Sequence, residues 1–362
     1  MENRLPIQID KRPMMADTWN PSLTPLVLVR KTFETQDTAN FFFATPQHHT
    51  FTFKPGQFVT VKADIEGQTY ARSYSISSLP EKAELQLTIK RVAGGVVSNW
   101  LIDHLLPGDS LCTYGFAGDF NIVDCPPKDK VLMISAGCGI TPVMAMTRHL
   151  LNGAAQPVAK VDFLHCAKDI ENVIYLDDMR HMAKAHPRFQ AHLLLEQIGD
   201  QSGSERTYEG LISLAHLRAC CPDYLDRSVY LCGPARFMEV VEGIFRDSGF
   251  DMACFFKESF LPSNTCDATV AADAAQCTVN VPDFQVSQQV AAGSVLLDVL
   301  EQAHVPVIGA CRSGVCGSCK CKVTRGKVAS SSHATLTEQE QADGYVLACS
   351  SKVVEDVDVA LK

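Results

Sequence analysis

The sequence predicts a multidomain protein: an antiparallel β-barrel, then an α/β unit on a parallel sheet, then a small C-terminal α+β unit. Three observations lead there. The chain has 362 residues, which at about 150 residues per domain is two or three cores. The apolar pattern changes period near Pro127. A small, polar, aperiodic stretch, LPSNTCDATVAADAA, reads as a linker after Phe260.

Each element follows in order. Before Pro127, short runs such as QFVTVKA, SYSIS and LQLTIKRV alternate apolar with polar residues between KPG, LPE and PGD turns, the pattern of half-buried antiparallel strands. From Lys130, apolar strands (VLMIS, VDFLH, VYLC) alternate with helical stretches (TPVMAMTRHLL, ARFMEVVEGIF), as in a parallel sheet flanked by helices. After the linker, QCTVNV and FQVSQQV suit a hairpin. SVLLDVLEQAHV sets Leu296, Val299, Leu300 and Ala303 on one helical face, with Pro306 expected to end the helix. The expected boundaries are an N-terminal extension at 1–22, the barrel at 23–127, the α/β unit at 128–260, a linker at 261–275 and the C-terminal unit at 276–362.

Composition removes several function classes. Net charge is −9 with no basic block, so nucleic acid is a poor partner. The most apolar stretch, Val131–Met146, is broken by Ser135, Gly137, Gly139, Thr141 and Pro142, too short a run for a bilayer. The N-terminus lacks the apolar region of a secretory signal, and a cytoplasmic location is expected. The eleven histidines show no ligand spacing. The adjacent His48-His49 reads as a solvated loop, and Cys220-Cys221 as an incidental thiol pair.

Fifteen cysteines are many for a reducing compartment, where clusters bind metal more often than they form disulfides. Cys311, Cys316 and Cys319 are spaced C-x4-C-x2-C, and Cys349 follows after 29 residues. That is the plant-type ferredoxin spacing for a [2Fe-2S] cluster. Four thiolates suit two tetrahedral irons, and Gly314 and Gly317 let backbone amides turn toward the sulfurs. The alternative is structural zinc, which usually takes two close C-x2-C pairs. Cys321 is either a spare ligand or a core thiol.

The segment Val295–Leu361, with SGVCGSC and the late GYVLAC, resembles plant-type ferredoxin domains, which implies a β-grasp fold. Upstream, Arg72-Ser73-Tyr74-Ser75 matches the RxYS flavin motif of the ferredoxin-NADP reductase family. Lys90-Arg91 and then Gly95-Val96-Val97-Ser98 follow at the family's spacing. Gly95 and Ser98 would open a helix toward the flavin phosphates, Arg72 would pair with them, and the resemblance implies that Tyr74 stacks on the isoalloxazine. Gly137-Cys138-Gly139-Ile140-Thr141-Pro142 follows a strand and opens a helix. Its glycines suit a close pyrophosphate, Pro142 suits a first helical turn, and Thr141 is expected as the N-cap. Cys232-Gly233-Pro234 matches the family's CGP, implied to lie beside the nicotinamide, and Glu258 and Phe260 match its ExF segment near the flavin.

The resemblance runs from about Leu23 to Leu361 and is strongest to the NADH oxidoreductases that serve hybrid cluster proteins, in ISAGCGITPVMAM, FFKESF, ACRSGVCGSC and TLTEQEQADGYVLAC; the reductases of Rieske-type oxygenases and demethylases share the same architecture. It implies electron flow from NADH through FAD to 2Fe-2S and on to a redox protein acceptor, with a hybrid cluster protein as the leading expectation and a Rieske-type oxygenase or demethylase as the alternative. Flavin is the needed converter, because nicotinamide gives two electrons together and a cluster accepts one. Lys168-Asp169, after the second strand, offers both the acid that favours NADH and the base that favours NADPH. FAD over FMN follows from the resemblance alone. A redox or nitric-oxide sensor is the competing class.

Overall fold

The computed structural model describes residues 25–152, 158–198, 206–260, 276–307, 309, 312, 314, 317–333 and 336–361. The proposed extension and linker lie outside the described residues, as do Cys311 and Cys316.

Alternation in the first third gives six strands, β1 (Leu26–Thr35), β2 (Thr38–Ala44), β3 (Phe58–Ile65), β4 (Gln68–Ser75), β5 (Leu85–Lys90) and β6 (Ser110–Ala117). They pair antiparallel in the order β4-β3-β6-β1-β2-β5. A bridge between Ile76 and Leu87 draws the end of β4 back to β5 and curls the sheet toward closure. Inward residues such as Phe41, Phe43, Val59, Leu85 and Leu87 are fully buried or nearly so, with Leu101 of α1 (Val96–His104) among them.

The middle third forms a six-stranded parallel sheet from β7 (Lys130–Ala136), β8 (Lys160–Ala167), β9 (Phe189–Leu195), β10 (Arg206–Glu209), β11 (Ser228–Cys232) and β12 (Phe255–Glu258). Their order is β10-β9-β8-β7-β11-β12. β7 and β11 read as near-continuous apolar runs because both faces of the sheet are covered. One face packs against α2 (Ile140–Leu151) and α3 (Leu176–Ala185), the other against α4 (Leu214–Cys220) and α5 (Ala235–Asp247). Strand order reverses between β7 and β11, and ligands of open α/β sheets bind at such a switch point. Cys220 and Cys221 are buried in the second of these cores.

The C-terminal unit begins with the expected hairpin, β13 (Gln276–Val281) and β14 (Val286–Ala291). α6 (Leu296–Gln302) then buries Leu296, Leu297, Val299 and Leu300. It stops before Pro306: His304 takes a left-handed φ of 57°, and the chain has left the helix by then. β15 (Lys320–Arg325), β16 (Val328–Ser330), α7 (Glu338–Ala342), β17 (Tyr345–Leu347), β18 (Ser351–Val353) and β19 (Val357–Ala360) complete it. The main sheet is mixed, in the order β14-β13-β19-β15-β17, and β16 pairs with β18. Among the described residues no helix is long and apolar enough to cross a membrane.

Candidate functional site

The motifs converge on the C-terminal edge of the parallel sheet where it meets the barrel. Gly137–Gly139 form a 3-10 turn directly after β7, and Cys232-Gly233-Pro234 follows β11, so the two turns flank the switch point. They touch closely: a Cβ on Gly139 would overlap the Cys232 carbonyl and come within 2.6 Å of the Gly233 nitrogen. Only glycine fits there.

Three helices open at the motifs, and their ends share a property. α1 starts after Gly95, α2 after Gly139 and α5 after Pro234. Among the described α-helices these three alone have neither a side-chain cap nor an acidic residue in the first turn. Their free amides and positive dipole ends are left for an anion from outside the chain. By contrast Ser213 caps α4 and Thr337 caps α7. Thr141 is not the N-cap that was expected. It is the second residue of α2 and its hydroxyl donates to the Cys138 carbonyl at 3.0 Å, because the 3-10 turn moves the helix start to Ile140. Pro142 does lie in the first turn, where its missing N–H costs no helical bond.

On β4, Arg72 and Tyr74 are two residues apart and share a strand face. Arg72 is exposed, with one N–H on the Ala71 carbonyl at 2.7 Å. Tyr74 packs half-buried against the barrel core, and burial holds its phenol protonated well past the usual range. Ser73 meets the Thr60 hydroxyl at 2.9 Å, and Ser75 is buried. Val97 and Ser98 are buried in α1. The ammonium of Lys90 lies 3.2 Å from Asp37, engaged in an ion pair.

Register aligns Glu258 with Cys232, Cys232 with Ser135, and Ser135 with His165, so four side chains stand in one row on the α2 face. Burial keeps the Cys232 thiol protonated, with the Glu258 charge adding to the effect. Burial, reinforced by Asp119, pushes the Glu258 carboxyl up to about 8, and its Oε2 is buried without a hydrogen-bond partner. Sequence reasoning missed Ser135 and His165, whose side chains meet at 2.9 Å. Burial holds that imidazole down to about 3, so it is neutral. Only the cross-strand register reveals the pair. Phe260 ends the segment with 47% of its surface exposed. Beyond β8, Asp169 accepts from the Asn172 backbone and side-chain nitrogens at 3.0 and 2.7 Å, while Lys168 is exposed.

In the C-terminal unit the two described members of the expected ligand set, Cys319 and Cys349, lie together. The Cys349 backbone N–H donates to the Cys319 sulfur at 3.4 Å, and the Gly314 N–H donates to the Cys349 sulfur at 3.2 Å. Amides aimed at sulfur are the surroundings that stabilise thiolate ligands of an iron–sulfur group. Gly314 has a φ of +74°, and a Cβ there would come within 2.8 Å of the Ser332 and Ser350 side chains. Arg312 ties the loop to α6 through Asp298 at 2.8 Å and Glu301. Cys321 is a core thiol: it is fully buried, and desolvation raises it to about 12.

The donor set thus fits a flavin, a pyridine nucleotide and a cluster. Family models agree segment by segment: an oxidoreductase FAD-binding domain over residues 25–122, an oxidoreductase NAD-binding domain over 133–243 and a 2Fe-2S cluster-binding domain over 279–354. The protein is an NADH oxidoreductase of the electron-transfer class, with FAD and a 2Fe-2S cluster as its cofactors. Several of its relatives are reductase subunits or components. It is 35% identical over 355 residues to the glycine betaine monooxygenase reductase subunit of Chromohalobacter salexigens, covering 94% of this chain and 95% of the relative. To NADH oxidoreductase HCR of Escherichia coli it is 35% identical, covering 86% and 90%. Phthalate dioxygenase reductase shares the fold, with a TM-score of 0.57 at 22% identity over 95% of this chain and all of that one. The chain belongs to this family of three-module flavin and iron–sulfur reductases.

Proposed function

We propose that this reductase takes hydride from NADH and hands single electrons to the Rieske-type terminal component of an oxygenase or demethylase. The observation that carries the cofactor placement is the set of three uncapped helix N-termini at the three motifs. Arg72, Ser73, Tyr74 and Ser75, with Gly95, Val97 and Ser98, would hold FAD, its phosphates at the α1 amides. Lys90 stays in that set through its backbone, since its ammonium is taken by Asp37. Gly137, Gly139, Thr141 and Pro142 would seat the NADH pyrophosphate at the start of α2, and Gly233 and Pro234 would set the nicotinamide beside Cys232. Cys311, Cys316, Cys319 and Cys349 would ligate the cluster.

When bound, FAD and the cluster supply the conversion of a two-electron hydride into single electrons. The chain's own residues do the positioning. Glu258, neutral up to about pH 8, offers an O–H donor rather than a charge at the edge of the site. Cys232 gives a compact, uncharged wall on which a ring can rest. Gly139 allows the two turns to approach each other, which keeps the nicotinamide and pyrophosphate positions in register.

The oxygenase reading of the acceptor rests on near end-to-end similarity to the glycine betaine monooxygenase reductase subunit. Similarity to NADH oxidoreductase HCR favours a second reading, a hybrid cluster protein as acceptor. Anaerobic mixing of NADH-reduced protein with each purified acceptor separates them. Reduction of the Rieske centre within the turnover time supports the first reading, and reduction of the hybrid cluster protein alone overturns it. A holo-protein that NADH fails to discharge into any acceptor, cytochrome c included, returns the sensor.

A further inference from the structure

Two domains of one chain that meet through a polar interface are expected to move against each other unless something fixes them. Here the fixing runs through one helix. We propose that α2 is bolted to the flavin barrel at both ends, so that Cys138 and Arg148 are positioning residues that set where the nicotinamide meets the flavin. This rests on the reading that seats the nucleotide over the Gly137–Pro142 turn.

At the N-terminal end, the Cys138 S–H donates to the Thr88 carbonyl on β5 at 3.7 Å. Burial raises this thiol to about 11, so the proton needed for that bond is retained. The sulfur is also an electrostatic neighbour of both Tyr74 and Cys232. It therefore sits between the flavin motif and the nicotinamide motif. At the C-terminal end, Arg148 donates to the Ser77 carbonyl at 2.6 Å and to the Gln86 side chain at 3.2 Å, both on the barrel side. Its other arm reaches Asp178 at 2.9 Å, and its guanidinium lies 5.0 Å over the Tyr175 ring.

Tyr175 completes the junction. It is fully buried in a left-handed conformation, φ 60°. Its N–H donates to Glu34 of β1 at 3.0 Å and its hydroxyl meets that of Thr88. Thr88 thus receives Cys138 on its carbonyl and Tyr175 on its side chain, and both bolts end on β5 within two residues of each other. With both ends held, the free amides of α2 have no swing of their own relative to Tyr74. A misplacement of about 1 Å between reacting groups can cost on the order of a hundredfold in rate, so such bolts bear on rate more than on affinity.

Single-turnover reduction of the bound flavin by NADH tests this, together with the long-wavelength absorbance that marks oxidised nicotinamide lying against reduced flavin. Cys138→Ala should lower the limiting rate about tenfold and weaken the absorbance in step. The NADH concentration at half-saturation, the flavin content and the Tm should stay near those of the parent. Cys138→Ser should restore both signals, because its hydroxyl can donate to the same carbonyl. Arg148→Ala should act the same way and Arg148→Lys partly rescue it. If Arg148→Ala does not fold, the Cys138 pair decides. A Cys138→Ala variant with the parent's limiting rate, or a serine variant as slow as the alanine one, overturns the proposal. Failure of NADH to reduce the parent's flavin instead overturns the nucleotide placement itself.

Discussion

Glu258 is the residue whose surroundings most directly predict behaviour. Its carboxyl is lifted from the ordinary carboxylate range to about 8, first by burial and then by Asp119. For an acid lifted on folding, the folded state binds more protons than the unfolded one between the two values, so stability falls as pH rises from about 4.5 to 8. Below that window both states are protonated, and above it the loss is complete. Glu258→Gln should remove this slope, so the variant's stability relative to the parent should rise between pH 5 and 8 in denaturant titrations. Flavin reduction by NADH should slow in the parent as pH passes about 8 and lose that dependence in the variant. A parent and variant with parallel profiles would remove Glu258 from this role. At this scale the sequence named Cys232 and Glu258 by motif, and strand register sets the two side by side. It was silent on His165 and Ser135, which are neighbours only through strand register. Thr141 shows the opposite error: a good capping residue stood two positions past the N-cap, Gly139, because the 3-10 turn ahead of α2 moved the start.

Elements were readable in proportion to how local their causes are. The hairpin β13–β14 and the alternation of the barrel strands follow from side-chain period and turn chemistry. The junction of the turn ahead of α2 with β5 joins residues 50 positions apart in Cys138 and Thr88, and no local pattern announces it. The glycines of the nucleotide turn give a graded test. Gly137→Ala has open space and only its left-handed φ of +52° to contend with, a cost of about 1–2 kcal/mol. Gly139→Ala has ordinary dihedrals but would drive a methyl into the Cys232 backbone, costing about 3 kcal/mol or more as the two turns separate. Chemical denaturation should rank them in that order, and NADH affinity should follow. In the cluster loop, Gly314→Ala should crowd Ser332 and Ser350 and turn an amide away from the Cys349 sulfur. The expected outcome is lower iron content and a lowered cluster potential, read by iron assay and redox titration, with flavin content unchanged.

For the whole molecule, the three units and their order were legible because each carries its own signal: period two, then strand–helix alternation, then the cysteine spacing of a plant-type cluster. The route of electrons depends on that division of labour. On the proposed assignment, hydride would be accepted where the barrel meets the parallel sheet, and single electrons would leave where Cys319 and Cys349 gather amides around their sulfurs. The central claim is that these are successive stations, with the cluster downstream of the flavin. Anaerobic stopped-flow spectra of Cys316→Ser mixed with NADH test it most directly, followed by addition of a one-electron protein acceptor. The account predicts flavin bleaching at close to the parent's rate and almost no delivery to the acceptor. Equal loss of flavin bleaching, or undiminished delivery, would contradict it.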